Sequence, residues 1–260
     1  MSVYQHFRKF EHPFVDAVLS WVDNVERTYT PYVTDFLDPR EQAIIASLIG
    51  TQHDEVKYSF FGGYEGSERK RGCIAPIYET VTQETFGVTL LEASYPSKFV
   101  SIRHRDILGS LMSLGIERKT LGDISVKDGI FQFFINKEMA SYVQMNLTKV
   151  RQSTVKLQSK SYEERIESAE NWLERQHTVS SLRLDVLIKE IYKIPRSLAA
   201  TLIKQQKVKV NFTQVDDPST LLLEGDLISV NGYGRSKFLY LGGTTRKDKR
   251  KITSARLEEK

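Results

Sequence analysis

The stretch Ser181-Leu182-Arg183-Leu184-Asp185 through Tyr192, continued by Arg196-Ser197, Leu202-Ile203-Lys204 and Lys207-Val208-Lys209-Val210-Asn211, decides how this chain is read. Its spacing predicts two short amphipathic helices, Leu184 to Tyr192 and Arg196 to Gln205. A hairpin-rich sheet then runs past Gly225-Asp226 and Gly232-Tyr233-Gly234-Arg235. Leu187, Ile188 and Ile191 on one helix face Leu198, Leu202 and Ile203 on the other, so each helix has one apolar side to bury. The opposite side presents Arg183, Lys189, Arg196 and Lys204, and Lys207 and Lys209 carry the charge onto the first strand. One lysine in such a place is a solvated face. An ordered set of cations suits the phosphate backbone of a nucleic acid. The candidate RNA-binding residues of this segment are therefore Arg183, Arg196, Ser197, Lys204, Lys207, Lys209, Asn211 and Arg235.

The charge distribution points the same way. The net charge of the 260 residues is only +4, but residues 181–260 hold 16 basic and 9 acidic residues, whereas residues 1–150 hold 16 and 19. Part of the excess is the run Arg246-Lys247-Asp248-Lys249-Arg250-Lys251, yet residues 181–243 keep 9 basic against 6 acidic without it. An anionic partner is expected, nucleic acid first and a membrane surface second. Hydrophobic residues at 40% and charged residues at 27% are ordinary globular values. The longest nearly apolar run, Ala43 to Ile49, is too short to span a bilayer, and the N-terminus has no apolar signal core. Cys73 is the single cysteine, so no internal disulfide forms. A soluble, cytoplasmic protein is expected.

Upstream, Phe7 to Val25 has helical spacing that Pro13 should break or restart, and Asp38-Pro39-Arg40-Glu41 is a helix start with an N-cap, a proline at the first position and an early acid. Val56 to Phe61 and Ile74 to Tyr78 read as strands on either side of a glycine turn and the basic cluster Arg69-Lys70-Arg71. From about residue 84 the order becomes strand, helix, strand, strand, helix, strand, ending at Ser153 to Leu157. That is the ferredoxin-like βαββαβ order shared by RNA-recognition sheets. The fold class expected is α+β and multidomain. Residues 1–80 form a helix-rich N-terminal domain, 81–160 a central RNA-recognition-like domain and 161–180 a linker. Residues 181–243 form the C-terminal domain of two helices and a small sheet, and 244–260 a basic, disordered tail.

The segment at 181–243 resembles the small RNA-binding domain of small-subunit ribosomal protein four. Two positions depart from its usual pattern: Pro195 stands where a serine commonly caps the second helix, and Gln206 where glycine usually ends it. The upstream motifs Phe36-Leu37-Asp38-Pro39-Arg40-Glu41, Gly62-Gly63-Tyr64, Glu68-Arg69-Lys70-Arg71, His104-Arg105-Asp106-Ile107-Leu108-Gly109 and Gly122-Asp123-Ile124 resemble the bacterial YlmH family. This resemblance extends to about residue 240. It implies association with the ribosome: binding to the large subunit obstructed by peptidyl-tRNA, and a part in ribosome quality control. Family members are also often labelled cell-division proteins. The partners it implies are structured RNA, namely ribosomal RNA with transfer RNA as a second candidate, and the large ribosomal subunit. The oligomeric state stays open.

Motifs that look catalytic lose their force in context. His104-Arg105-Asp106 begins like a kinase catalytic loop, but Leu111 stands where that loop needs asparagine, and no Asp-Phe-Gly follows. Arg183-Leu184-Asp185 resembles the catalytic aspartate motif of pseudouridine synthases, yet only about 20 residues follow the domain, too few for the catalytic sheet. His6, His12, His53, His104 and His177 lack metal-ligand spacing, so no metal and no cofactor is expected. The expectation is a non-enzymatic RNA-binding protein, with an RNA-modifying enzyme or a division adaptor as the rivals. Arg103, His104 and Arg105 open a helix whose dipole disfavours cations there, and an arriving phosphate would reverse that penalty. They are the second candidate RNA contact. Phe131 and Phe133, which alternate onto one face with Ile135, are expected in the core.

Overall fold

Asp38 illustrates how local chemistry starts an element here. Its carboxylate accepts the backbone N–H groups of Arg40 and Glu41 at 3.0 Å, and the Glu41 carboxylate accepts the Asp38 N–H at 2.7 Å. This reciprocal capping box opens helix α2 (Pro39–Ile49). The computed structural model describes residues 4, 7, 9–50, 54–167, 171–245 and 248–258. It divides into two compact units, Met1–Ser168 and Ala169–Lys260.

In the first unit, α1 (His12–Thr28) and α2 pack on a three-stranded antiparallel sheet of β1 (Tyr32–Leu37), β2 (Val56–Phe61) and β3 (Lys70–Pro76), in the order β1-β3-β2. Pro13 lies in the first turn of α1, so the helix starts anew there, because a proline at that position gives up no intrahelical hydrogen bond. Val18, Val25, Ile45, Ile49, Val56 and Ile74 form the core between helices and sheet. Strand β3 begins at Lys70, four residues before the strand expected at Ile74, and this draws Arg71 into the interior.

The central part runs β4 (Val88–Ser94), α3 (His104–Ser113), β5 (Leu121–Lys127), β6 (Ile130–Asn136), α4 (Lys137–Asn146), a small hairpin β7 (Lys149–Val150) and β8 (Ser153–Thr154), and β9 (Gln158–Lys160). The sheet order β5-β6-β4-β9 is the ferredoxin-like arrangement. Its closing strand is β9, not Ser153 to Leu157, whose first residues pair with β7 instead. Leu91, Phe131, Phe133 and Ile135 pack beneath Ile107 and Leu111 of α3 and Val143 of α4. The opposite face, with Val88, Leu90 and Phe134, packs on Phe36, Cys73 and Ala75 of the N-terminal sheet. Phe131 and Phe133 are fully buried and Phe134 is 2% exposed, so none of the three is available to stack on a base.

The second unit corrects two expectations. Residues 161–180 are not merely a linker: β10 (Trp172–Val179) is the edge strand of a six-stranded antiparallel sheet. The tail is not disordered over its described part, because β15 (Arg250–Leu257) pairs with β10 along its whole length. Arg246 and Lys247 lie outside the described residues. The remaining elements are α5 (Leu184–Tyr192), α6 (Arg196–Lys204), β11 (Val208–Val210), β12 (Thr213–Gln214), β13 (Leu227–Val230) and β14 (Gly234–Thr244). The strand order is β10-β15-β14-β13-β11-β12. Val179 of β10 and Ile252 of β15 belong to the same core as Leu187, Ile203 and Val208, so a fragment cut at 181–243 would lose two strands and part of its core.

Candidate nucleic-acid interface

The cationic face of the second unit is organised by one buried acid. Asp185, in the first turn of α5, is 3% exposed. Its carboxylate accepts two hydrogen bonds from Arg183, at 3.1 and 3.2 Å, and Arg196 Nε at 2.9 Å with Nη2 at 2.8 Å. Burial pushes the Asp185 carboxyl up, but the hydrogen bonds and charges of the two arginines outweigh this and hold it below the usual aspartate range. The pair therefore presents two guanidinium groups around one carboxylate, with their outer edges in solvent. Asp185 serves as an anchor for the two arginines.

Ser197 and Lys204 lie two helical turns apart on the exposed side of α6, and Lys207 is exposed just beyond its end. The helix closes on Gln206 at φ 57, with the Gln206 N–H donating to Ile203 C=O and the Lys207 N–H to Leu202 C=O at 3.0 Å. That is a Schellman motif with glutamine in the left-handed position glycine favours. It turns the chain so that Lys207 follows Lys204 around the corner into β11.

The expected set does not form one surface. Helices α5 and α6 cover the sheet face that carries Val208, Ile228 and Phe238. Lys209 alternates with Val208, and Arg235 pairs with Ser229 next to the core pair Ile228–Ser236, so both point to the other face. Asn211 is committed to structure: its side chain donates to Asp226 at 2.7 Å and accepts the Leu227 N–H at 2.9 Å. The helix side thus keeps Arg183, Arg196, Ser197, Lys204 and Lys207.

In the first unit, Arg103 occupies the N-cap position of α3, with His104 and Arg105 exposed on the first turn. The Asp106 carboxylate accepts the Arg103 backbone N–H at 2.9 Å and lies 3.7 Å from Arg151, a cation that sequence spacing did not bring into this cluster. Arg151 also donates to the Ser101 carbonyl at 2.9 Å.

The other upstream motifs converge on the seam between the two sheets of that unit. The Asp123 carboxylate accepts the Tyr64 hydroxyl at 2.8 Å and the backbone N–H groups of Glu68 and Arg69 at 2.8 and 3.0 Å. Arg69 donates to the carbonyls of Leu121 and Phe36, and Arg118 to those of Leu121 and Gly122. A Cβ on Gly63, at φ +101, would stand 2.1 Å from the Phe134 ring. Arg71 donates to Thr34 C=O at 2.7 Å and Gly87 C=O at 3.1 Å. These residues join two sheets, and their cations are used up in doing so. Cys73 is buried, and burial pushes its thiol up to about 11. Burial, then the charge of Lys193, lowers the pKa of His177, which hydrogen-bonds the Ser254 hydroxyl at 2.9 Å. Among the described residues no group of three or more His, Cys, Asp or Glu side chains is placed to hold a metal, and no helix is long and apolar enough to cross a membrane.

Comparison with known proteins agrees with this division. Residues 11–79 match the N-terminal domain of YlmH, residues 82–164 a putative RNA-binding domain in YlmH, and residues 182–228 the S4 domain. The chain is 38% identical to the ribosome-associated protein quality control protein P2 of Bacillus subtilis over 98% of each chain. Among solved structures it is similar to the cell division protein ylmH from Streptococcus pneumoniae, with 32% identity and a TM-score of 0.55. That match covers 64% of this chain and all of the other.

Proposed function

Because the chain belongs to the YlmH family, we propose that it is an RNA-binding protein of the ribosome that acts by binding and not by catalysis, with its S4 domain making the principal contact. The observation that carries this reading is the Asp185 anchor, which holds Arg183 and Arg196 on the side of the domain that also carries Ser197, Lys204 and Lys207. Fixed guanidinium groups bind phosphate with little ordering cost, and flexible lysines at a helix end add charge. Contacts of this kind orient a structured RNA without reading its sequence. The RNA class is ribosomal RNA of the large subunit, and the state recognised is the subunit carrying peptidyl-tRNA. The Bacillus relative's name supports the coarser part of this reading, a role in ribosome-associated quality control. Arg103, His104 and Arg105, joined by Arg151, supply a second and weaker contact from the first unit, so that two-point attachment raises affinity without new chemistry.

The test is co-sedimentation of the full chain with purified large subunits across a salt series, for wild type and for Lys204→Ala with Lys207→Ala. Both lysines are exposed, so the variant keeps its fold. Each phosphate that a lysine no longer neutralises lowers the slope of log K against log salt by roughly 0.9, so the slope of the double variant should be shallower by about 2. A variant with unchanged affinity and slope would place the RNA surface elsewhere.

A further inference from the structure

The sheet face of the second unit that the helices leave uncovered carries a row of aromatic rings and cations, much of it outside the residues that match the S4 domain. The Lys237 ammonium sits 4.2 Å above the Trp172 ring, reaching across Ala255, its partner on the intervening strand β15. The Arg235 guanidinium lies 5.7 Å from the Phe212 ring at the tip of the β11–β12 hairpin. Lys209 stands on the same face, separated from Arg235 only by Ser229. Measured across the strands, Trp172 and Phe212 are four spacings, roughly 19 Å, apart and are also offset along them. Lys237, Arg235 and Lys209 share the face between them with an acid, Glu174, which is in register with Lys237 across Ala255.

Phe212 adds a second observation. It holds φ 66 and follows Asn211 at φ 49, so both central residues of this two-residue turn are left-handed. Asparagine tolerates that conformation, whereas a bulky aromatic residue there is strained, and such strain collects where a side chain is needed for contact. Glycine would make the turn without strain and without a ring.

We propose that this open face binds a short single-stranded RNA segment, its bases stacked on Trp172 and Phe212 and its phosphates held by Lys237, Arg235 and Lys209. The proposal rests on the RNA-binding reading above and gives it a second kind of substrate beside structured RNA. A stacked base is worth more than a solvent-exposed cation on the same ring. An arriving base therefore displaces Lys237 from Trp172 and Arg235 from Phe212, and the released cations meet the flanking phosphates. The rings are sequence-tolerant platforms, so the face selects for unpaired strand and not for base identity.

The experiment uses the full chain, a ten-nucleotide unstructured oligoribonucleotide and a blunt RNA duplex of equal length. The chain has two tryptophans, Trp21 and Trp172, so subtracting the signal of Trp172→Phe isolates fluorescence at the face. The single strand should quench Trp172 strongly and the duplex weakly. Phe212→Gly should raise thermal stability by relieving the turn, yet weaken single-strand binding roughly five- to tenfold. A merely structural role for Phe212 would not separate the two readouts. If single strand leaves Trp172 unquenched, or Phe212→Gly binds it as wild type does, while large subunits are still bound through Lys204 and Lys207, this inference falls and the proposed function stands. If neither oligonucleotide nor subunit is bound, both fall.

Discussion

Asp185 is the residue on which the helix-side surface turns, because it is an acid that builds a basic site. Removing it frees Arg183 and Arg196 to rotate, so phosphate binding loses its preset geometry although net positive charge rises. Arg196, which sequence spacing places on a purely polar face, therefore also has a structural role. Its loss leaves a buried carboxylate with one partner. The sign of the pH effect follows from the depressed Asp185 pKa. Its contribution to stability is fully present above the ordinary aspartate value of 3.8 and is lost as pH falls through the lower folded value. Thermal melts of wild type and Asp185→Asn should differ at pH 7, with the variant less stable, and converge as pH drops below that ordinary value. A gap that persists unchanged in acid would show that the pair contributes nothing through ionisation.

At the scale of elements, the end of α6 is the clearest trade between stability and sequence. Gln206 at φ 57 costs on the order of 1 kcal/mol relative to glycine. Gln206→Gly should therefore stabilise the second unit by about that amount without altering the salt dependence of RNA binding, as differential scanning calorimetry and the salt series would report. Elements whose signals are local were legible in the sequence. Asp38-Pro39-Arg40-Glu41 encodes its own cap, and Asp128-Gly129, both at positive φ, encode the tight turn between β5 and β6. The left-handed end of α6 was legible too. Strands defined by their neighbours were not. Gln158–Lys160 has no apolar alternation and exists because β4 offers it an edge. Trp172–Val179 exposes most of its polar residues, so it reads as a linker until β15 pairs with it. Trp172, as part of that stretch, escaped notice as a candidate site residue. Cations misled in a related way: sequence shows that Arg71 and Lys209 are charged, but not that one is buried and the other lies across the sheet from the helices.

At the scale of the whole chain, the two units divide labour. The first spends its most distinctive motifs on joining two sheets, and the second holds the helix-side cationic surface proposed to bind RNA. Asp123 is the keystone of that join. Burial, then the charge of Asp123, raises the Tyr64 phenol pKa, so the hydroxyl stays a proton donor to the carboxylate. Asp123→Ala strands that hydroxyl and two backbone N–H groups, at a cost of about 2–4 kcal/mol. Calorimetry should show the transition of the first unit lowered and that of the second unchanged. A single transition that shifts as a whole would mean the units unfold as one.

The S4 domain is proposed to bring this protein to large-subunit RNA. The most direct measurement is ultraviolet crosslinking of the full chain in cells, followed by sequencing of the attached RNA and mass spectrometry of the attached peptides. Reads should concentrate in large-subunit ribosomal RNA, with crosslinked peptides from the segment between Arg183 and Lys209 that are lost in Lys204→Ala with Lys207→Ala. Crosslinks confined to the first unit, or RNA reads without enrichment for the large subunit, would contradict it.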